Sequence, residues 1–194
     1  MSSPDRGQRI TRRVDPAGDA TLERIYEQVA REAGGVPRLY QALAAAPPLL
    51  QGWIDFAWAL RADAKAPRGL RELAILRCAQ LGGSDYVWRS HVRLATSAGV
   101  TDEQLDALAS GDPGVFSSLE RAVLRIVDEL VGGVVADATW QALSAELGEE
   151  MMVEMVLTIS WYAHVTRVVS ALGVPLEAHH GKVARVPGIP PRGD

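Results

Sequence analysis

From Ala20 onward, apolar residues recur three and four positions apart, the period of a helix with one face turned inward. Leu22, Ile25, Tyr26 and Val29 form a first stripe, which Gly34-Gly35 ends. A short helix over 38–46 stops at Pro47-Pro48, and Pro48 suits the first turn of the next helix. There Trp53, Phe56, Ala57 and Leu60 form the stripe predicted to be buried. Pro67 opens a helix over 68–81 that Gly82-Gly83 breaks, and Ser84 caps a further one ending at Gly99. Thr101 followed by Gln104, and Ser117 followed by Glu120, have the spacing of capping boxes and start two more helices. Residues 137–147 are predicted helical up to Gly148, and 149–172 form a long, mostly apolar helix closed by Gly173 and Pro175. The β-branched clusters are too short to support a sheet. The chain is predicted to be all-α, with about eight helices.

Both ends lack this period. Residues 1–18 are arginine-rich and punctuated by Pro4, Pro16 and Gly18, and are expected to form a flexible arm. The segment 178–194, rich in Gly and Pro, is expected to be flexible or to wrap a neighbouring subunit. His179-His180 within it is read as solvated tail. The helical domain is placed at 19–177.

Composition narrows the classes. Of 194 residues, 47% are hydrophobic and 23% charged, the balance of a globular protein. A net charge of −4 argues against a nucleic-acid groove or an anionic membrane surface as partner. The N-terminal stretch has no apolar core of a secretory signal, and the uncharged run from Met155 to Thr166 is too short to span a bilayer. A cytoplasmic location is expected. The single cysteine, Cys78, excludes an intrachain disulfide and any site that needs two thiolates, and is read as a small packing residue. Five tryptophans are many for this length, and are either core or the wall of an apolar cavity.

The chemistry concentrates between residues 71 and 91. Ser84, Val87, Trp88, His91, Ala95 and Ala98 share one helix face, which places His91 on the buried side. Glu72 shares a face with Ile75, Leu76 and Ala79, and a carboxylate on an apolar face needs a partner. The Gly82-Gly83 break lets the two helices fold back as an antiparallel pair, bringing Glu72 towards His91. Each residue also has a plain structural reading. Glu72 could be ion-paired to Arg77, Arg167 or another subunit's arginine, and His91 could be a core histidine.

This segment resembles the carboxymuconolactone decarboxylase and AhpD-like superfamily. AhpD-like peroxidases carry a glutamate, eleven residues, then Cys-x-x-Cys-x-x-x-His. Counted from Glu72, the cysteine positions are 84 and 87 and the histidine position is 91. Here Glu72 and His91 are in register, with Ser84 and Val87 where the thiols belong, as in the cysteine-free branch. The stretch from Trp161 through His164 and Arg167 to Glu177 is similar to that branch's closing helix.

The resemblance implies an AhpD-like helical bundle, a homo-oligomer (trimer or hexamer), and no cofactor. It implies Glu72 and His91 as the catalytic pair, with Arg167, His164, Trp88 and Ser84 as substrate contacts. Peroxide reduction needs one thiolate to attack and a second to resolve, which Ser84 and Val87 cannot supply. The remaining inventory suits proton transfer on a small organic acid or lactone, by a lyase or isomerase. A non-catalytic ligand-binding or scaffold protein is the alternative. A metal bound by Glu72, His91 and His164 lacks a ligand motif, so none is expected.

Overall fold

The computed structural model describes residues 7–188. Eight α-helices follow one another: α1 Ala20–Ala33, α2 Arg38–Leu43, α3 Pro47–Ala62, α4 Arg68–Leu81, α5 Asp85–Ser97, α6 Asp102–Ser110, α7 Ser118–Gly132 and α8 Asp137–Leu172. Two 3-10 turns, Pro113–Val115 and Ala178–Lys182, complete the order, and no strand occurs among the described residues. The caps are where the sequence puts them. Ser84 Oγ accepts from the Val87 amide at 3.3 Å, and Thr101 and Ser117 each close a capping box with Gln104 and Glu120. Within α8, Gly148 (φ 74°, ψ 170°) breaks the helical path, a conformation open to glycine alone. It divides that helix into the two limbs read from the sequence.

Helix α4 is the axis of the molecule. It packs on α5, α7 and α8 at once. Every residue from Leu70 to Ala79 except Arg77 is buried, so its one carboxylate cannot reach solvent on any side. Each fully buried Leu or Ile here contributes about 1.5–3 kcal/mol by leaving water. At the end of α4, a side chain on Gly82 would meet Thr166 Oγ1 of α8 at 2.6 Å, so the close approach of these helices requires glycine. The link between α3 and α4 is pinned to α8, because the amides of Lys65 and Ala66 donate to the Glu154 carboxylate at 3.0 and 2.7 Å. Buried Arg71 donates to the carbonyls of Leu60 (2.5 Å) and Ala66 (2.9 Å), which fixes the last turn of α3 against α4.

Two expectations are corrected by the fold. The buried face of α3 is Leu50, Ile54, Ala57 and Leu60, whereas Trp53 is partly exposed and Phe56 is 37% exposed. Both stripes have helical spacing and share Ala57 and Leu60. Trp53 and Phe56 lie on the edge of the stripe and pack on Trp161 of α8, at ring-centroid distances of 4.5 and 4.9 Å.

His180, expected in solvated tail, is instead wholly buried, and the described parts of both ends bond to the helical domain. The amides of Arg9 and Arg13 donate to the carbonyls of Leu172 and Gln41, and the Tyr26 hydroxyl donates to the Arg13 carbonyl. The tail is held by Glu177, whose Oε1 accepts from the Arg38 amide and the Tyr86 hydroxyl, both at 2.7 Å, and by wholly buried His180. Further along, the Val186 amide donates to Asp85 Oδ1 at 2.8 Å. Residues 1–6 and 189–194 fall outside the described range.

Candidate active site

Glu72 and His91 meet across the α4–α5 interface. His91 Nδ1 lies 2.8 Å from Glu72 Oε2, with the carboxylate fully buried and the imidazole side chain 5% exposed. The other carboxylate oxygen, Oε1, accepts from Arg68 one turn earlier on α4, at 2.7 Å from Nε and 2.5 Å from Nη2. The edge of the Tyr162 ring, from α8, packs on the imidazole at a centroid distance of 4.8 Å and 85° between planes. Arg61, exposed at the end of α3, interacts with the hydroxyls of Tyr162 and Tyr40 and adds its charge to the field at His91. Nε2 of His91 has no hydrogen-bond partner among the described residues.

The electrostatics assign the protons. Burial pushes the Glu72 carboxyl up, but the His91 hydrogen bond and the Arg68 charge outweigh it, leaving the pKa below the ordinary glutamate value. For His91 burial dominates and lowers the pKa, the nearby Arg61 and Arg68 charges act in the same direction, and Glu72 only partly opposes them. The carboxylate alone would lead one to expect an imidazole that holds its proton near pH 7. Burial and the two arginines reverse that. At neutral pH the pair is an ionised carboxylate and a neutral imidazole. Nδ1–H then donates to Glu72, and Nε2 carries a free lone pair. Burial likewise holds the Tyr162 hydroxyl above its usual pKa, so it stays protonated.

Residues 47–129, from α3 through most of α7, match the carboxymuconolactone decarboxylase family, and the matched segment contains both Glu72 and His91. The chain has the AhpD-like fold. The AhpD-like fold extends over most of its length. An uncharacterized peroxidase-related protein from Silicibacter sp. TM1040 superposes with a TM-score of 0.78 at 16% identity, over 93% of this chain and 98% of that one. The apo debrominase Bmp8 gives 0.73 at 16% identity, over 89% and 95%. A peroxidase-related protein with the alkylhydroperoxidase AhpD core, from Ralstonia eutropha JMP134, gives 0.62 at 17% identity, over 84% and 87%. At these identities the likeness is one of fold. No curated protein matches the sequence.

The structure places fewer of the sequence-derived candidates beside the Glu72–His91 pair than expected. Ser84 is used as the cap of α5, and Trp88 is core at 4% exposure. Arg167 is exposed, donates to the Ala163 carbonyl at 2.6 Å, and its charge acts on Cys78. His164 is exposed in an aromatic group with Trp53 (5.3 Å) and Trp161 (5.8 Å). Arg77 pairs with Asp128, at 2.6 and 3.0 Å, and not with Glu72. Among the described residues, no three His, Cys, Asp or Glu side chains cluster as metal ligands, and no helix is long and apolar enough to cross a membrane.

Three groups at the site were not singled out from the sequence. Arg68 carries a readable signal, the i,i+4 spacing to Glu72. Arg61 and Tyr162 carry none, since α3 and α8 bring them in from distant parts of the chain.

Proposed function

We propose that the protein is a cofactor-free lyase or isomerase that moves a proton on a small organic acid or lactone. The observation that carries this reading is the buried Glu72–His91 contact at 2.8 Å with Nε2 left unengaged. Nε2 accepts a proton from an acidic carbon of the substrate or from water, and Glu72 steadies the imidazolium that forms. The same proton returns at another carbon of the substrate. In a decarboxylation it returns to the carbanion left when the carbon–carbon bond breaks and carbon dioxide departs. Arg61 replaces Arg167 as the group that holds the substrate's anionic end, because its charge acts on His91.

The test is deuterium incorporation into a panel of small lactones and carboxylic acids in D2O, followed by proton NMR. Protein-dependent exchange should occur with at least one class of substrate and fall about a hundredfold in His91→Gln. Exchange that is equally fast in His91→Gln and Glu72→Gln variants with intact helicity sinks the reading. The scaffold alternative draws support from the near-complete burial of both residues. It gains if no compound in the panel exchanges.

We further propose a homo-oligomer that covers the outward face of α3 and α8. That face presents Leu49 (75% exposed), Phe56 and Trp53 beside Val153 (56%), Leu157 (41%) and Trp161. Apolar surface of this kind marks association sites. Sedimentation should give more than one chain per particle, and Leu157→Glu should shift it towards monomer.

A further inference from the structure

A recessed surface lies away from the Glu72–His91 pair. α6, the Pro113–Val115 turn and α7, with Arg77 of α4, line an open pocket of about 270 Å³, just below the usual size of ligand sites. Its apolar wall is Leu108, Phe116 and Leu124. Its charged lining is three arginines, Arg77, Arg121 and Arg125, and two carboxylates, Asp112 and Asp128.

The partners of these charges decide what the pocket can bind. Arg77 is fully engaged, by Asp128 through Nε and Nη2 and by Gln80 Oε1 through Nη1 at 2.6 Å. Asp112 Oδ1 accepts from the Gly114 amide at 2.8 Å. Arg121 donates one bond, to the Phe116 carbonyl. Arg125 makes no hydrogen bond and no ion pair among the described residues, and its charge acts on Glu129 one turn on. Arg121 and Arg125 are four residues apart on α7, so their guanidinium groups project from the same face with Leu124 beside them. The Arg77–Asp128 pair cancels internally, which leaves two cations facing one carboxylate above an apolar wall.

We propose that this pocket binds a small organic monocarboxylate. Its carboxylate sits between Arg121 and Arg125, and its flat apolar body rests on Leu108, Phe116 and Leu124. A guanidinium fork matches a carboxylate with two parallel hydrogen bonds, and the apolar wall favours a ring over a bare ion. This site is separate from the proton-transfer pair and does not depend on that activity.

The test uses the full chain, labelled with nitrogen-15 and titrated with benzoate, with neutral benzamide and with acetate. Benzoate should shift the amides of residues 107–128, while benzamide and acetate bind at least about tenfold more weakly. Arg125→Gln, at an exposed position, should weaken benzoate about tenfold, and Arg125→Lys should recover part of the loss. Equal binding of benzamide overturns the proposal, and so does an unchanged affinity in Arg125→Gln. Shifts gathered around His91 and Tyr162 rather than Leu108 and Phe116 overturn it as well. Benzoate that produces no shift at millimolar concentration has the same force.

Discussion

Helix α5 holds two buried histidine contacts, and they are put to different uses. His91 belongs to α5 and points to α4, where its partner is a carboxylate. His180 arrives from the tail and meets the next-door residue Ser90, with Nε2 3.1 Å from the Ser90 hydroxyl oxygen. The Glu177 amide donates to Nδ1 of His180 at 3.3 Å, so the proton of this imidazole sits on Nε2 and points at Ser90. The Ser90 hydroxyl in turn donates to the Tyr86 carbonyl at 2.7 Å. Every lone pair and proton of His180 is committed, and the serine is held as an acceptor rather than activated as a nucleophile. With no carboxylate in hydrogen-bond contact with its ring among the described residues, burial and the neighbouring charge of His179 push its pKa down to about 4. His91, by contrast, keeps one nitrogen uncommitted because its partner takes only the other. The type of partner, and not burial itself, separates the histidine that can do chemistry from the one that fastens the chain.

The sharpest break of this contrast is in stability. Glu72→Ala removes the acceptor of both His91 and Arg68 inside the core, and should cost about 3 kcal/mol in urea denaturation. Ser90→Ala removes one neutral hydrogen bond, and should cost about 1 kcal/mol. Equal costs would mean that the charge of the partner is immaterial. Next comes rate. On any substrate that exchanges deuterium, His91→Gln should lose about a hundredfold while His180→Gln turns over like the parent protein.

The two histidines also titrate against the fold. An unfolded imidazole binds its proton near 6.5 and the folded His180 only near 4, so the unfolded chain holds more protons between these values. Stability should therefore fall as pH is lowered from about 6.5 to about 4 and no further on account of this group. The decline should be shallower in His180→Gln, as followed by thermal melts across pH. The smallest expected effects belong to Arg167→Gln and His164→Gln. Both are exposed and away from the pair, and should change stability by no more than about 0.5 kcal/mol. A large loss of rate in Arg167→Gln would return that residue to the site and remove Arg61 from it.

What was legible in the sequence follows from distance along the chain. Glu72 and His91 are joined by two helices and one glycine turn, so periodicity and a single break suffice to bring them together. The caps at Ser84, Thr101 and Ser117, and the break at Gly148, are equally local. Arg61 and Tyr162 reach the site through packing of α3 and α8, which no spacing encodes. Arg167 and His164 are candidates through the resemblance of this stretch to a closing helix, but the helix decides by angle. Relative to Tyr162 they are rotated by about 140° and about 200°, at 100° per residue, so they cannot share its face. The tail has no period, and its docking depends on single side chains such as Glu177 and His180 finding partners on α2 and α5.

The lone thiol has a use that concerns measurement rather than mechanism. Cys78 is 1% exposed, contacts the Ile159 carbonyl at 3.6 Å, and has a pKa pushed up to about 12 by burial. As a neutral thiol between α4 and α8 it cannot react with an alkylating reagent while those helices remain packed. Labelling at Cys78 therefore counts the excursions in which the centre of the molecule comes apart. With fast reclosing, its rate reports the free energy of that opening, and with slow reclosing, the opening rate itself. The molecule thus carries an internal clock on its own core, readable by mass spectrometry without any added probe site.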